Sequence, residues 1–198
     1  MVDSRAVVDW SPREEISVAR SFSARLALVV ALALPATVAA QDSHLFVASL
    51  SGGIGGSFDA GHGHEFDQRA LQAGFGVLTN ERTYTVVRLG RLDFDSELDL
   101  DGLTRAELTY LTVSGEYRFQ QPSYDFGIFL GLGGYQLEGR DALLGDADES
   151  ALGLAFGLTG DFDLTRRFSL VAEFSAHYAF LDRAQVYGLA LGGVAVHF

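Results

Sequence analysis

The sequence predicts an all-β fold, an eight-stranded antiparallel up-and-down β-barrel that crosses a membrane. Three observations predict it. Apolar residues recur with a period of two from residue 45 onward, and this is the period of a β-strand. Eight such segments are joined by polar connections in which short and long alternate. The residues between the apolar ones are mostly small, whereas the outer face of a soluble barrel would carry many charges.

An apolar segment near the N-terminus has the layout of an export signal. Residues 26–34 form an unbroken apolar run that follows two arginines, and Pro35 ends it. Residues 38–40 then supply the small side chains that a signal peptidase reads. The apolar stretch is shorter than the roughly 20 residues that a transmembrane helix needs. We therefore expect residues 1–40 to be a leader with a cleaved signal peptide.

The charge and the cysteine content limit the possible partners of the remaining domain, residues 41–198. The chain has 26 acidic residues against 14 basic ones, all of them arginine, for a net charge of −12. This balance argues against a nucleic-acid partner, which needs a basic face. The lack of cysteine excludes disulfides and thiolate metal sites. Acidic residues before the apolar run are foreign to a signal peptide, so we expect translation to begin near Val18 rather than at Met1.

Eight segments of the barrel domain show the alternation of apolar residues with small or polar ones. We expect strands at residues 45–58, 70–79, 83–94, 106–119, 124–138, 151–164, 168–180 and 186–198. Tight turns are expected at 80–82, 120–123 and 165–167, and polar loops at 59–69, 95–105, 139–150 and 181–185. Such alternation is typical of a barrel with both termini and all tight turns at one rim.

The two faces of each strand predict opposite environments. The apolar face is almost free of charge and is expected to contact lipid, while the small residues suit the narrow interior of an eight-stranded barrel. Near the turns we expect an aromatic girdle of Tyr117, Phe119, Tyr124, Phe126, Phe162, Phe168 and Phe198. At the other rim we expect a second girdle of Tyr135, Tyr178 and Phe180.

Charged residues on the small-residue face are expected to meet in the lumen. They are Arg88, Glu116, Arg118, Asp125, Asp161, Asp163, Glu173 and His177. The favoured interpretation is a set of ion pairs that fills and stiffens the lumen, because buried charges must be paired. The alternative is a polar path or a proton-linked site through the barrel.

One strand also carries the residue types of a hydrolase. Glu173, Ser175 and His177 share a face, but same-face neighbours lie about 6.6–6.8 Å apart along a strand. This spacing is too long for a direct hydrogen bond, so the sequence predicts no catalytic residues and no enzyme.

The predicted loops carry acids and histidines without a complete metal motif. The second loop partly matches a calcium-loop spacing, through Asp95, Glu97, Asp99, Asp101 and Gly102, yet Leu108 stands where a carboxylate is required. His62 and His64, with Asp59 and Asp67, are interpreted as polar loop residues. We expect no cofactor and no specific metal site. The favoured interpretation of the acidic loops is a solvated surface that their charge keeps out of the membrane, and the alternative is loose capture of divalent cations.

The C-terminus carries a resemblance to a known family. Phe198 ends the last strand, with Val196 two residues before it and Gly193 three before that; Leu191 departs from the usual polar residue. This pattern resembles the assembly signal of bacterial outer-membrane barrels, and the chain is similar to the small eight-stranded barrels of the OmpX and opacity-protein type. The resemblance implies a Gram-negative-type outer membrane, periplasmic termini, contact with lipid and lipopolysaccharide, and recognition by the barrel-assembly machinery.

The expected function is that of a monomeric, non-enzymatic barrel. Its role would be structural, or a surface interaction exerted through acidic extracellular loops. The alternative is a narrow channel or a binding site for small or hydrophobic solutes. A remote alternative is a lipid A-modifying enzyme.

Overall fold

Antiparallel strands close on themselves in the computed structural model, which describes residues 45–58, 66–94, 103–121, 124–141, 145–182 and 186–198. The predicted signal peptide, residues 1–40, lies outside these ranges. Within them each strand pairs with the next in sequence order, and the last pairs with the first. The predicted fold class, an all-β antiparallel up-and-down barrel, is confirmed.

The eight strands of the described residues are β1 (Phe46–Ser57), β2 (Gln68–Asn80), β3 (Thr83–Phe94), β4 (Leu103–Gln120), β5 (Tyr124–Asp141), β6 (Gly145–Asp163), β7 (Phe168–Ala179) and β8 (Val186–His197). We call the end with the short connections 81–82, 121–123 and 164–167 the turn rim, and the opposite end the loop rim. Residues 45 and 198 both lie at the turn rim, as predicted.

The outer wall of the barrel is apolar. Large side chains such as Leu130, Leu132 and Leu152 are 65–75% exposed, and they alternate along β5 and β6 with buried or small residues. A wall of this kind is stable only against hydrocarbon, because a soluble protein would leave it in water. The predicted lipid-facing parity is therefore confirmed. Among the described residues no helix is long and apolar enough to cross a bilayer.

The turn rim ends in exposed aromatic side chains, as predicted. Tyr124 and Phe162 stack at 5.9 Å between β5 and β6, and all seven predicted members of this girdle are exposed. At the loop rim Tyr178 and Phe180 are exposed as well. Tyr135 was predicted beside them and this was wrong, since it is only 2% exposed. Tyr135 and Phe129 are both odd-numbered residues of β5, so their side chains point to the same, inward face of the strand.

Two strands continue well past the predicted membrane segment. β5 ends at Asp141 and β6 begins at Gly145, so the described residues of the predicted loop 139–150 are paired strand residues. Beyond the bilayer both faces of a hairpin are wet, so backbone pairing continues without any apolar alternation. The strict alternation of long and short connections is therefore wrong at this position. Smaller extensions begin β2 at Gln68 and β4 at Leu103.

Candidate functional site in the barrel lumen

Large apolar side chains fill the loop-rim half of the lumen. This apolar plug comprises Ala70, Leu92, Phe94, Ala106, Leu108, Tyr110, Tyr135, Leu137, Ala179, Leu181, Tyr187, Leu189 and Leu191. Gly90 makes room for one of them, because a Cβ at this position would lie 2.2 Å from the Tyr110 ring. The expectation of small residues throughout the interior is thus wrong for this half. These residues sit on inward positions of strands whose outward positions are also apolar, so composition alone does not separate them.

Arg88 is the centre of a polar network below the plug. Its guanidinium donates to Glu116 at 2.6 Å, to Glu173 at 2.9 Å and to the Ser114 hydroxyl. Phe129 packs under the guanidinium with its ring centroid 4.0 Å away. Charge-assisted hydrogen bonds of this kind are about twice as strong as neutral ones, and here they tie β3 to β4 and β7 across the lumen.

Arg118 repeats this arrangement closer to the turn rim. It donates to Glu116 at 2.9 Å and to Asp161 at 3.1 Å. The Tyr84 ring lies 4.3 Å from its guanidinium carbon. Glu116 therefore bridges the two arginines, and the described network connects β3, β4, β6 and β7.

Gln72 links the network to the plug. Its side-chain amide donates to Glu173 at 3.0 Å, and its carbonyl accepts from the Tyr110 hydroxyl at 2.8 Å. Neither residue was predicted as part of the network. Both have inward parity, so extending the parity rule to uncharged polar and aromatic residues would have found them.

Six of the eight predicted lumen residues are buried: Arg88, Glu116, Arg118, Asp161, Glu173 and His177. Asp125 is half-buried and Asp163 is exposed, because both lie where β5 and β6 reach the turn rim. Five of the six buried residues form the ion-paired network, while His177 contacts Tyr135 and Ser175 instead.

The serine and histidine considered for catalysis do touch. His177 Nε2 lies 3.2 Å from Ser175 Oγ, so the expectation that strand spacing keeps them apart is wrong. No triad follows, because Glu173 is bound by Arg88 and His177 Nδ1 instead contacts the Tyr135 hydroxyl at 3.0 Å. Ser175 and His177 are both buried among lumen side chains. This pair is part of the packing of the lumen.

A small cavity lies beside the network on its turn-rim side. It measures about 40 Å³ and is lined by Arg88, Arg118, Asp161 and Glu173 together with small residues of β1 and β2. A second apolar cluster, formed by Val47, Tyr84, Val86 and Ala195, lies between the cavity and the turn rim. The described lumen thus has three layers: the apolar plug, the polar network with its cavity, and this second cluster.

The outer wall carries a row of carboxylates above its apolar belt. Asp93, Glu107, Glu138 and Asp148 stand in register on β3, β4, β5 and β6 and share the outward parity. Arg91 binds the first two, at 2.5 and 3.1 Å. Like charges directly opposite one another destabilise a sheet. We refer to these four residues as the acidic row.

The three residues of the predicted assembly signal lie at the seam between β8 and its neighbours. Gly193 pairs with Ser51, and a Cβ on this glycine would lie 2.1 Å from the Leu50 carbonyl oxygen. Val196 pairs with Ala48, and Phe198 is exposed in the girdle. The close approach explains why glycine is required at the seam, while recognition of the segment by an assembly machinery stays a prediction.

Most of the predicted loop residues lie outside the described ranges. They include Asp59, His62 and His64 of the first loop and Asp95, Glu97, Asp99 and Asp101 of the second. Among the residues that the structure describes, no group of three or more histidine, aspartate or glutamate side chains is arranged to hold a metal ion.

The closed barrel, its apolar belt and its filled lumen define a small transmembrane β-barrel, and solved structures show the same fold. Neisserial surface protein A matches with a TM-score of 0.65 and 16% identity, covering 77% of this chain and 97% of that one. Ail, the attachment invasion locus protein of Yersinia pestis, matches with a TM-score of 0.53 and 19% identity over 77% and 98% of the two chains. The outer membrane protein OprG from Pseudomonas aeruginosa matches with a TM-score of 0.50 and 12% identity over 80% and 99%.

The expectation of a small eight-stranded outer-membrane barrel is confirmed at the level of the fold. No protein-family model and no curated protein matches the chain. OprG is described as an outer membrane protein, and the likeness of this chain to it and to the other two structures is one of fold.

Proposed function

We propose that the protein is a non-enzymatic outer-membrane barrel with a structural or surface-interaction role. The observation that carries this proposal is the contrast between a filled lumen and a β5–β6 hairpin that continues past the apolar belt. The interior holds packed side chains, so the surface beyond the loop rim is the part that is available to partners. Two of the similar proteins are described as a surface protein and an attachment protein, which agrees with this reading.

The hairpin changes from apolar to polar at a defined level. Gly134 pairs with Leu152, which is the outward apolar residue of β6 nearest to the loop rim. The next outward pair toward that rim is Gln136 with Ser150. From Gln136 to Asp141 the strand rises about 17 Å at roughly 3.4 Å per residue. Short turns of outer-membrane barrels face the periplasm, so this acidic hairpin is proposed to lie outside the cell.

Cysteine labelling tests location and orientation together. The chain has no native cysteine, so Glu138→Cys and Arg166→Cys each create a single reactive site at opposite rims. A membrane-impermeant maleimide is expected to label Glu138→Cys on intact cells, and Arg166→Cys only after lysis. The reverse pattern would contradict the orientation. Recovery of the protein in the soluble periplasmic fraction would contradict the location.

Lipopolysaccharide with divalent cations is the proposed partner of the acidic row. The Gln136 amide donates to Glu138 at 3.0 Å and reaches Asp148 at 3.4 Å, so the two carboxylates face one side-chain amide. Hard cations such as Mg²⁺ and Ca²⁺ prefer carboxylate oxygens, and a cation held here would also bind lipid phosphates.

Lipopolysaccharide retained by the purified barrel tests this partner. We expect more to be retained in Mg²⁺ than in EDTA, and the Glu138→Gln/Asp148→Asn variant to lose the difference. Glu81→Gln at the turn rim is the matched control and should behave as the wild type. Equal retention by the wild type in Mg²⁺ and EDTA would contradict the role of the acidic row and leave the barrel proposal standing.

A further inference from the structure

Two buried carboxylate oxygens of the network have no hydrogen-bond partner among the described residues. They are Oε1 of Glu173 and Oδ1 of Asp161. The side chains of both residues are more than nine-tenths buried, and both residues line the 40 Å³ cavity. A buried acceptor that is left unsatisfied is costly, so these two oxygens point to a further occupant of the cavity.

The strand register places these two residues near one another. Asp161 on β6 pairs with Val171 on β7, and Glu173 lies two residues further along β7 on the same inward face. Diagonal neighbours of this kind have Cα atoms about 7–8 Å apart, and their side chains lie closer. One occupant can therefore contact both carboxylates.

The charge of the network favours a cation over water alone. Three carboxylates, from Glu116, Asp161 and Glu173, face the two guanidiniums of Arg88 and Arg118. With all five groups ionised the network carries one excess negative charge. That charge lies inside a barrel surrounded by lipid, where an uncompensated charge is expensive.

Asp125, which pairs with Asp161, and Tyr84, which packs on Arg118, also lie close to this cluster, and so does His197. Its Nε2 lies 3.4 Å from Asp161 Oδ2 and 2.9 Å from the Ser169 hydroxyl. It adds a positive charge only when protonated. The tests below are therefore compared at one fixed pH.

We propose that the cavity beside Glu173 and Asp161 binds one monovalent cation of about the size of a water molecule, in the class of K⁺. A cavity of about 40 Å³ exceeds the roughly 10–15 Å³ that one water needs, so it admits such an ion with a few waters. Oxygen donors are the ligands of hard cations. The site lies between the apolar plug and the Val47 cluster, and an ion held there neutralises the network.

Anomalous diffraction from rubidium tests the site directly. Crystals of the barrel purified from membranes and grown in RbCl are expected to show one anomalous peak in contact with Glu173 and Asp161. The Glu173→Gln variant should lack this peak. A cavity that holds only water in the wild type would overturn the proposal.

Unfolding in solution gives a second test with a matched control. KCl is compared with choline chloride at equal ionic strength, since choline is too large for the cavity. At a K⁺ concentration ten times the dissociation constant, the unfolding constant of the wild type should fall about tenfold. Glu81→Gln, which removes an exposed carboxylate at the turn rim, should keep this difference, while Glu173→Gln and Asp161→Asn should each lose it. Equal unfolding of the wild type in the two salts would refute the cation site, whether or not the variants fold.

Discussion

Phe198 and Phe46 close the barrel at the turn rim. The amide of each residue donates to the carbonyl of the other, at 2.8 and 3.0 Å, and their rings stack with centroids 5.7 Å apart. The Phe75 ring on β2 lies 6.0 Å from that of Phe46 and 6.5 Å from that of Phe198. The last residue of the chain is therefore a structural part of the seam between β1 and β8, in addition to its predicted role in assembly.

Removing the terminal ring should impair assembly more than removing an aromatic elsewhere. We expect Phe198→Ala to lower the yield of folded barrel, because the backbone bonds remain but two ring contacts are lost, each about 0.5–1.5 kcal/mol beyond burial. Heat-modifiable mobility of the outer-membrane fraction measures the yield. Phe180→Ala, at the loop rim, is the control and should fold nearly as the wild type does. An unchanged yield for Phe198→Ala would refute this role.

Arg88 should be among the most sensitive positions in the barrel. Arg88→Ala leaves Glu116 and Glu173 buried without their shared partner, and breaking a buried pair typically costs about 3–5 kcal/mol. We expect the free energy of unfolding in urea, measured on barrels in lipid vesicles, to fall by that amount.

Arg91 provides a matched control for Arg88, two residues away on β3. It also binds two carboxylates, but it is 53% exposed on the outer wall. Exposed pairs contribute about 0–1 kcal/mol, so Arg91→Ala should change stability little. Similar losses for the two variants would show that the lumen network is not the stabilising element that we infer.

Gly90 should tolerate no side chain while Tyr110 lies over it. A Cβ at Gly90 would overlap the Tyr110 ring, and overpacking of this kind typically costs about 1–3 kcal/mol. We expect Gly90→Ala to destabilise the barrel by this amount in urea unfolding, and Tyr110→Leu in the same chain to recover part of the loss. Gly115→Ala, where no atom lies within 4 Å of the added Cβ, is the neutral control. Equal effects of the two alanines would contradict the packing argument.

The sequence predicts which residues of a strand face lipid and which face the lumen more accurately than it predicts where the strand begins and ends. Alternation between lipid and lumen is imposed by the bilayer, so it is visible wherever a strand crosses hydrocarbon, as over 151–164. Outside the bilayer that constraint ends, and the paired residues 145–150 have the composition of a loop. Tyr135 shows a second limit of the sequence prediction. An aromatic residue near a rim has the side chain that a girdle needs, but Tyr135 occupies an inward position of its strand and therefore faces the lumen.

The pattern of inward positions does not show which lumen side chains bind one another. Parity selects Arg88, Glu116 and Glu173 as inward residues, but it cannot show that one arginine bridges both acids. The contact between Ser175 and His177 is a similar case, because side chains of one strand can lean toward each other across a spacing that the backbone alone makes too long. Leu191, which departs from the usual assembly signal, is buried in the apolar plug.

The filled lumen predicts that the barrel conducts no solutes. The apolar plug fills the loop-rim half of the described interior, and ion pairs tie its strands together below the plug. Eight strands leave an interior just wide enough for side chains or one small ligand, whereas barrels of 16 or more strands leave an aqueous channel. Liposomes that contain the purified barrel should therefore swell in arabinose no faster than protein-free liposomes, while a large porin serves as the positive control. Swelling above the protein-free rate would favour the narrow-channel alternative, because solute would then have passed a plug that we describe as closed.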